Sequence, residues 1–451
     1  RASALQAEGR RFESVNAHWG VPCSLSRLQG FFLPFTIKIA PAMTYNTYTL
    51  GCGLRVIHRH SESPVVYCGY QINAGTRDEK PGEEGLAHFC EHITFKGTER
   101  RNALKIINTL ENVGGELNAY TNKEETVYYA AVLKEHLPKA IDLLTDIVFH
   151  SIFPQTEVEK EKEVICDEIE SYNDSPAEQI YDEFENALFC NHPLGHNILG
   201  TAERVRSYTS DDAQRFTGKF YTPQNAVFFL YGNIDFQRLI RLLERATSDF
   251  ATAQPLCLDI APADISPYKA QDIELRHGTH QAHVMLGNRA FRVGDARRMP
   301  LYLLNNILGG PGMNARLNLS LRERHGLVYT VESSMTSYSD TGIWAVYFGC
   351  DPHDVNRCLH LVRRELDKMM EKPMTAAALS AAKRQIKGQI GIACDNRESR
   401  ALDFGKTFLH YGWAKDIESL YSSIDAITAE EIQQVAREVF NPDNITLLKI
   451  I

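Results

Sequence analysis

Apolar residues recur along this chain in two periods. Alternating or near-continuous runs such as VVYCGYQINAG (65–75), TVYYAAVL (126–133), QAHVMLGNRAF (281–291) and GIWAVYFG (342–349) predict strands. HLPKAIDLLTDIV (136–148) and VNRCLHLVRRELDKMM (355–370) instead carry apolar residues at helical spacing. The order of these runs repeats. Residues 209–228, TSDDAQRFTGKFYTPQNAVF, align at an offset of 219 with residues 428–447, TAEEIQQVAREVFNPDNITL, keeping Thr209/Thr428, Gln214/Gln433, Pro223/Pro442 and Asn225/Asn444 in register. Both blocks predict a capped helix, a Pro turn and a strand, with the strict capping box met only by Glu431. Upstream, 65–75 and 281–291 are each followed by a helical segment, paired strands and another helix. The fold class that follows is α+β: two homologous domains from an internal duplication, each a largely antiparallel sheet with helices packed on one side.

The stretch ATAQPLCLDIAPADISPYKAQ (251–271) holds three prolines and little periodicity, so the halves divide there. The expected domains are 43–252 and 270–451, joined by a linker at 253–269. Residues 1–42 read as an extension before a start at Met43. Its apolar run, Phe31 to Ile39, is broken by Pro34 and Lys38, and Glu8 and Glu13 oppose a transit-peptide reading despite Arg10 and Arg11. The expected location is cytoplasmic, with the mitochondrial matrix or export as the alternative if 1–42 is a targeting segment.

Composition narrows the function classes. At 451 residues with 43% hydrophobic content, neither a single small module nor a mainly disordered chain is expected. A net charge of −9 argues against nucleic-acid binding, which needs a basic excess, and leaves basic peptides as partners. Ten cysteines without a C-x-x-C read as reduced thiols. No run approaches the roughly 18 apolar residues of a membrane span.

Candidate chemistry is concentrated in GLAHFCEHITFKGT, which puts His88, Glu91 and His92 at i, i+3 and i+4 on one helix face. Two imidazoles one turn apart can share a zinc ion, and the carboxylate beside them can take a proton from an attacking water. A third ligand is needed. PQTEVEKEKEVICDEIESYNDSP (154–176) predicts a helix capped by Thr156 and Glu159, with Val158, Ile165 and Ile169 as its apolar stripe. Glu161 and Glu168 lie two turns apart on one face of it, while Glu157, Glu159, Glu163 and Glu170 read as a solvated charge run. Spacing alone leaves the choice of ligand open. Gly309-Gly310-Pro311-Gly312 follows the helical run LYLLNNIL, which predicts a helix-terminating turn and not a phosphate loop. By residue type alone, Leu117–Thr121 is a core strand, Arg322 a surface residue and Tyr329 a core residue.

H-x-x-E-H followed by Glu168, 168 − 92 = 76 residues after His92, with Glu161 seven residues earlier, resembles the pitrilysin/insulinase family of inverted zincins. The likeness is closest to its short-chain members, similar to mitochondrial processing peptidase subunits and their bacterial relatives. It runs on through LNAYTNKEETVYY (117–129), HPLGHNILGT (192–201), FYTPQNAVFFLYGNID (220–235) and LGGPGMNARLNLSLRERHGLVY (308–329), although His196 stands where the family more often has Arg. The resemblance implies that His88, His92 and Glu168 bind Zn2+, that Glu91 is the general base and that Glu161 is a supporting carboxylate. It further implies that Leu117, Asn118, Ala119, Tyr120 and Thr121 form an edge strand for peptide substrates, and that Arg322 and Tyr329 act from the second domain, Tyr329 donating to the developing oxyanion. That second domain has GDARRMPLYLLNN (294–306) where the zinc motif would fall, so one zinc per chain is expected. The implied protein is a zinc endopeptidase that takes unfolded peptides into a chamber closed by a second subunit, as a homodimer or as a heterodimer with a related chain. The alternative is a non-catalytic structural or partner subunit.

Overall fold

Strands and helices form close to where the apolar periods put them. In the computed structural model, which describes residues 45–252, 267–412 and 416–451, TVYYAAVL is a strand over its whole length and HLPKAIDLLTDIV becomes a helix from Leu137 to Phe149. The expected extension 1–42, Met43 and most of the 253–269 linker lie outside the described residues. Among those residues no helix is long and apolar enough to cross a membrane.

The first sheet contains β1 (Asn46–Thr49), β2 (Arg55–Arg59), β3 (Val65–Ile72), β4 (Glu116–Thr121), β5 (Thr126–Leu133) and β6 (Ala226–Tyr231), in the order β1-β2-β6-β3-β5-β4. Between its strands the chain forms α1 (Leu86–Thr94), α2 (Ala103–Glu111), α3 (Leu137–Phe149), α4 (Gln155–Asn173), α5 (Pro176–Leu188), α6 (Ala202–Ser207) and α7 (Ser210–Phe220), and α8 (Phe236–Ala246) follows β6. The second sheet contains β7 (Asp272–Leu275), β8 (Ala282–Ala290), β9 (Val328–Ser337), β10 (Gly342–Cys350) and β11 (Thr446–Ile450), in the order β7-β11-β8-β10-β9. Its part of the chain adds α9 (Arg298–Gly309), α10 (Val355–Glu371), α11 (Ala376–Ala393), α12 (Arg397–Tyr411), α13 (Ile417–Ala426) and α14 (Ala429–Val439). Both sheets are mixed but mainly antiparallel, the parallel pairs being β2 with β6 and β7 with β11.

The duplication is visible in matching parts. α7 and the Pro223–Asn225 turn lead into β6, and α14 and the Pro442–Asn444 turn lead into β11, with Ala429 lying 429 − 210 = 219 residues after Ser210. Two expectations about caps need correction. Asp212 closes a capping box as fully as Glu431 does: the Thr209 N–H reaches Asp212 Oδ2 at 2.9 Å, so the shorter side chain suffices. On α4 the helix starts two residues early, after Pro154 rather than Thr156, because Pro154 at φ −57° already has the angle of a helix entry. Glu159 pairs with Lys162 at 2.9 Å instead of closing a box.

β6 shows how the first sheet is covered. Its sequence AVFFLY is buried at every position, which an outward-facing strand could not be. Ala226, Phe228 and Leu230 join the core formed with α1, α3 and α7, whereas Val227, Phe229 and Tyr231 face the other way, onto Ala401, Phe404 and Phe408 of α12. The described residues accordingly form two compact units: one holds the first sheet together with the segment from Cys394, and the other holds Tyr268–Ala393 and Ile417–Ile451. The expected second domain, 270–451, is therefore interrupted by a helix that completes the first unit. The periodicity of α12 shows that one of its faces is buried, but not against which sheet.

Local chemistry fixes α12 in place. Gly405 lets the helix approach the sheet, since a Cβ there would lie 2.7 Å from Gln71 Oε1 and 2.9 Å from a ring carbon of Phe229. Gln71 Nε2 donates to the Leu402 carbonyl at 2.8 Å. Glu125, only 1% exposed, accepts from Lys406 Nζ and His410 Nε2, both at 2.6 Å. Burial alone would raise the Glu125 carboxyl, but the Lys406 ammonium and the His410 imidazole outweigh it and hold it well below the usual carboxylate range. A depressed folded-state pKa stabilises above the unfolded value, and this stability is lost as pH falls through the folded one. Glu125→Gln is therefore expected to cost about 3 kcal/mol at neutral pH, the low end for a broken buried pair because Lys406 is partly exposed. Denaturant titrations of both proteins check this: the gap should shrink below about pH 4, where the wild-type carboxylate begins to lose its advantage.

Candidate metal centre

α1 carries its apolar residues Leu86, Phe89, Cys90 and Ile93 into the core, which leaves His88, Glu91 and His92 together on its other side. The helix begins at Gly85, whose φ of +88° suits glycine and whose absent Cβ would lie 2.6 Å from the Leu199 carbonyl oxygen. A glycine cap offers no side chain to the first N–H groups of the helix. Glu79 supplies one from outside, accepting from Gly85 N at 3.1 Å and Ala87 N at 2.7 Å, and its carboxylate also takes His196 Nε2 at 2.7 Å. Burial pushes the Glu79 carboxyl up to about 7, against the pull of His196 and the two N–H groups. His196 thus occupies a working position, its ring bonded to the carboxyl group that starts the helix.

α4 packs against α1 and brings two carboxylates to the imidazoles. Glu161 Oε1 accepts from His92 Nδ1 at 3.0 Å, while Glu161 Oε2 lies 2.5 Å from Lys96 Nζ. Burial would raise the Glu161 carboxyl, but His92 and Lys96 outweigh it and keep it below the usual range. An ionised acceptor at Nδ1 fixes the tautomer of His92 and turns the lone pair of Nε2 outward, as outer carboxylates commonly do for metal-binding histidines. Nε2 is buried, makes no well-formed hydrogen bond, and has Glu168 Oε2 at 3.3 Å; the same oxygen lies 4.0 Å from His88 Nε2.

One donor atom each from His88, His92 and Glu168 lie within 4.8 Å of one another, the one such group among the described residues. Metal bonds of 2.0–2.1 Å in a tetrahedron separate neighbouring ligand atoms by about 3.4 Å, so these donors are spaced for one small cation. The site also wants positive charge. Burial would lower the His92 imidazole, yet the hydrogen bond to Glu161, the approach of the Glu168 carboxylate and the nearby charge of Glu91 push it up to about 9. Two imidazoles, one carboxylate and a buried nitrogen with no well-formed hydrogen bond fit zinc better than calcium or magnesium, which favour all-oxygen sets.

β4 lies at the edge of the first sheet, paired with β5 alone, Leu117 opposite Ala130 and Thr121 opposite Thr126. Its side chains alternate. Leu117 and Ala119 pack on the core that α1 shares, Asn118 is exposed, and Tyr120 packs on the α12 side. Thr121 turns toward α1, where its Oγ1 donates to Glu91 Oε2 at 2.6 Å. Arg322 and Tyr329 belong to the second unit. Arg322 sits in a π-helical turn, Asn318–Glu323, and its guanidinium lies 5.5 Å from the ring centre of Tyr329. Tyr329 is 82% exposed, so it is not the core tyrosine that its residue type alone suggests.

Two participants, Lys96 and Glu79, escaped the sequence reading, as did one contact of Thr121. Lys96 follows His92 by one turn within the same motif, and that spacing is the signal that could have found it. Glu79 had a subtler signal: a buried helix opening on glycine needs an acceptor from elsewhere. Nothing in the local pattern of β4 indicates that Thr121 meets Glu91.

Comparison with known proteins defines the class. Residues 55–202 match the profile of the insulinase peptidase family, M16, and residues 207–386 match that of the M16 inactive domain. The chain is 32% identical over 397 residues to YmxG of Bacillus subtilis, named an uncharacterized zinc protease, covering 88% of this chain and 96% of that one. An uncharacterized zinc protease of Streptomyces coelicolor is 34% identical over 401 residues, covering 88% and 87%. The fold matches the crystal structure of a peptidase M16 inactive domain from Pseudomonas fluorescens (TM-score 0.82, 19% identity, 90% and 98% covered) and that of a Helicobacter pylori protease (TM-score 0.81, 22% identity, 90% and 99% covered). This chain belongs to the M16 insulinase family of peptidases.

Proposed function

We propose that the protein is a zinc-dependent endopeptidase that cleaves extended peptides at the His88, His92 and Glu168 centre. The convergence of those three donors beside Glu91 and an unpaired sheet edge carries the reading. Zinc, when bound, polarises the scissile carbonyl and acidifies the attacking water. Glu91 takes that water's proton and delivers it to the leaving amine. Glu161, held ionised by Lys96, orients His92 through Nδ1. The substrate adds to β4 as a further strand, its backbone bonded to the free edge from Leu117 to Thr121 and Asn118 turned outward to meet it. Pairing along β4 needs an extended segment whose backbone groups have no partners of their own, which unfolded peptides offer most readily, so they are the substrate class. The exposure of Tyr329 and the cation over its ring support its use as an oxyanion donor with Arg322 beside it. The assembly that goes with this reading is a dimer, of identical or related chains, enclosing the peptide.

Hydrolysis of a quenched peptide library by the purified protein tests the reading. Activity should vanish when a chelator strips the metal and return with about one equivalent of zinc per chain. Full activity in protein freed of metal would overturn it.

A further inference from the structure

The buried hydroxyl of Thr121 supports a step that rests on Glu91 being the base. We infer that Thr121 is the positioning residue for that base, so that the strand offered to the peptide also aims the group that moves the proton. Thr121 and Glu91 are 8% and 5% exposed, and the 2.6 Å bond between them is shielded from competing water. An ionised carboxylate only accepts, so the hydroxyl donates, and a short bond to a charged acceptor is among the stronger hydrogen bonds available.

The donor itself is held firmly. Threonine is stiff at χ1, and Thr121 is the last residue of β4, opposite Thr126. Beyond it the chain is closed by Asn122 N donating to the Glu125 carbonyl at 2.8 Å. Lys123, 5% exposed, donates to the His196 carbonyl at 2.5 Å, and the His196 ring meets the carboxylate that starts α1. The end of β4 is thus tied to α1 at its first turn through His196 and Glu79, and at Glu91 through Thr121. Three neighbouring hydroxyls bond one another: Tyr128 OH meets Thr94 Oγ1 at 3.2 Å and Tyr221 OH at 3.1 Å. A peptide paired to β4 therefore takes its register from the same backbone that sets the carboxylate of Glu91. Holding reactant and catalytic group on one rigid element is where misplacement by 1 Å costs about 100-fold.

Thr121→Val keeps the shape and the β-branch and removes only the hydroxyl. With zinc-loaded protein and a cleaved peptide, kcat should fall about 10- to 100-fold while KM stays within about threefold, and bound zinc should remain at the wild-type level. Thr121→Ser should recover most of the lost kcat. A readout independent of turnover is the infrared carboxylate stretch assigned to Glu91 by difference from Glu91→Gln, which should shift in Thr121→Val. Thr121→Ala gives the same readings if the valine protein does not fold. Wild-type kcat in both variants, a loss confined to KM, a loss of zinc, a serine protein as poor as the valine one, or an unshifted band would each overturn the assignment. The parallel Glu91→Gln protein separates the two ideas. If it retains wild-type turnover, the base assignment itself falls; if it is inactive and Thr121→Val is unimpaired, only the role of Thr121 falls.

Discussion

Glu91→Gln should leave a folded protein that binds zinc and hydrolyses almost nothing. Glutamine preserves the volume of the side chain and an oxygen for Thr121, and Glu91 is not one of the three grouped donors, so neither the packing of α1 nor the metal donor set is disturbed. What disappears is a carboxylate able to accept and return a proton. General acid–base groups contribute about 10²- to 10⁴-fold, and because Glu91 serves both halves of the proton relay a loss of about 10³-fold or more in kcat is expected. Steady-state kinetics with metal analysis on the same samples check it. A glutamine protein hydrolysing at the wild-type rate with zinc bound would remove Glu91 from the chemistry.

The ligand variants should behave in the opposite way, losing metal and activity together. His88→Ala or His92→Ala removes one of three donors and leaves an incomplete set, so zinc affinity should fall by more than the 10- to 100-fold that loss of an outer carboxylate typically costs. Glu168→Ala should also weaken zinc. Glu161→Ala forms the internal contrast, since Glu161 reaches the site only through His92 Nδ1: metal should be largely retained at saturating zinc and activity reduced. Chelator competition on the purified proteins ranks all four. Full zinc in His88→Ala would end the assignment of that residue as a ligand.

Much of this was readable in the chain itself, for reasons that particular residues make clear. Period-2 and period-3.6 patterns are local, so β5, β10, α3 and α10 fall within a residue or so of the runs that announce them. The repeat at an offset of 219 carries its own confirmation, because helix, turn and strand recur together. His88, Glu91 and His92 were legible because one helix turn brings them together. Contacts between distant segments were not. Glu161 and Glu168 share a face with each other, but their distances to His92 depend on how α4 lies on α1, which no spacing encodes. Thr121 reads as a strand terminus until α1 is packed beneath it. The destination of α12 is the largest such omission, since amphipathicity marks a helix for burial without naming the surface.

That crossing helix has a consequence for how the protein is made. Phe229 and Phe404, neighbours in one core, are 404 − 229 = 175 residues apart in the chain. Loop closure over such a span is slow and must precede the contacts that reward it. During synthesis every strand of the first sheet emerges well before α12, so Ile57, Val127, Val227 and Phe229 wait with no cover on that face while the intervening residues are translated. At about 5–20 residues per second, those 175 residues take roughly 10–35 seconds, ample time for apolar surface to meet a chaperone or another nascent chain. A fragment ending before residue 394 inherits the same exposed face permanently. The first unit is therefore committed late: most of the second unit is translated before α12 arrives and the sheet beside the candidate metal centre is sealed on both faces.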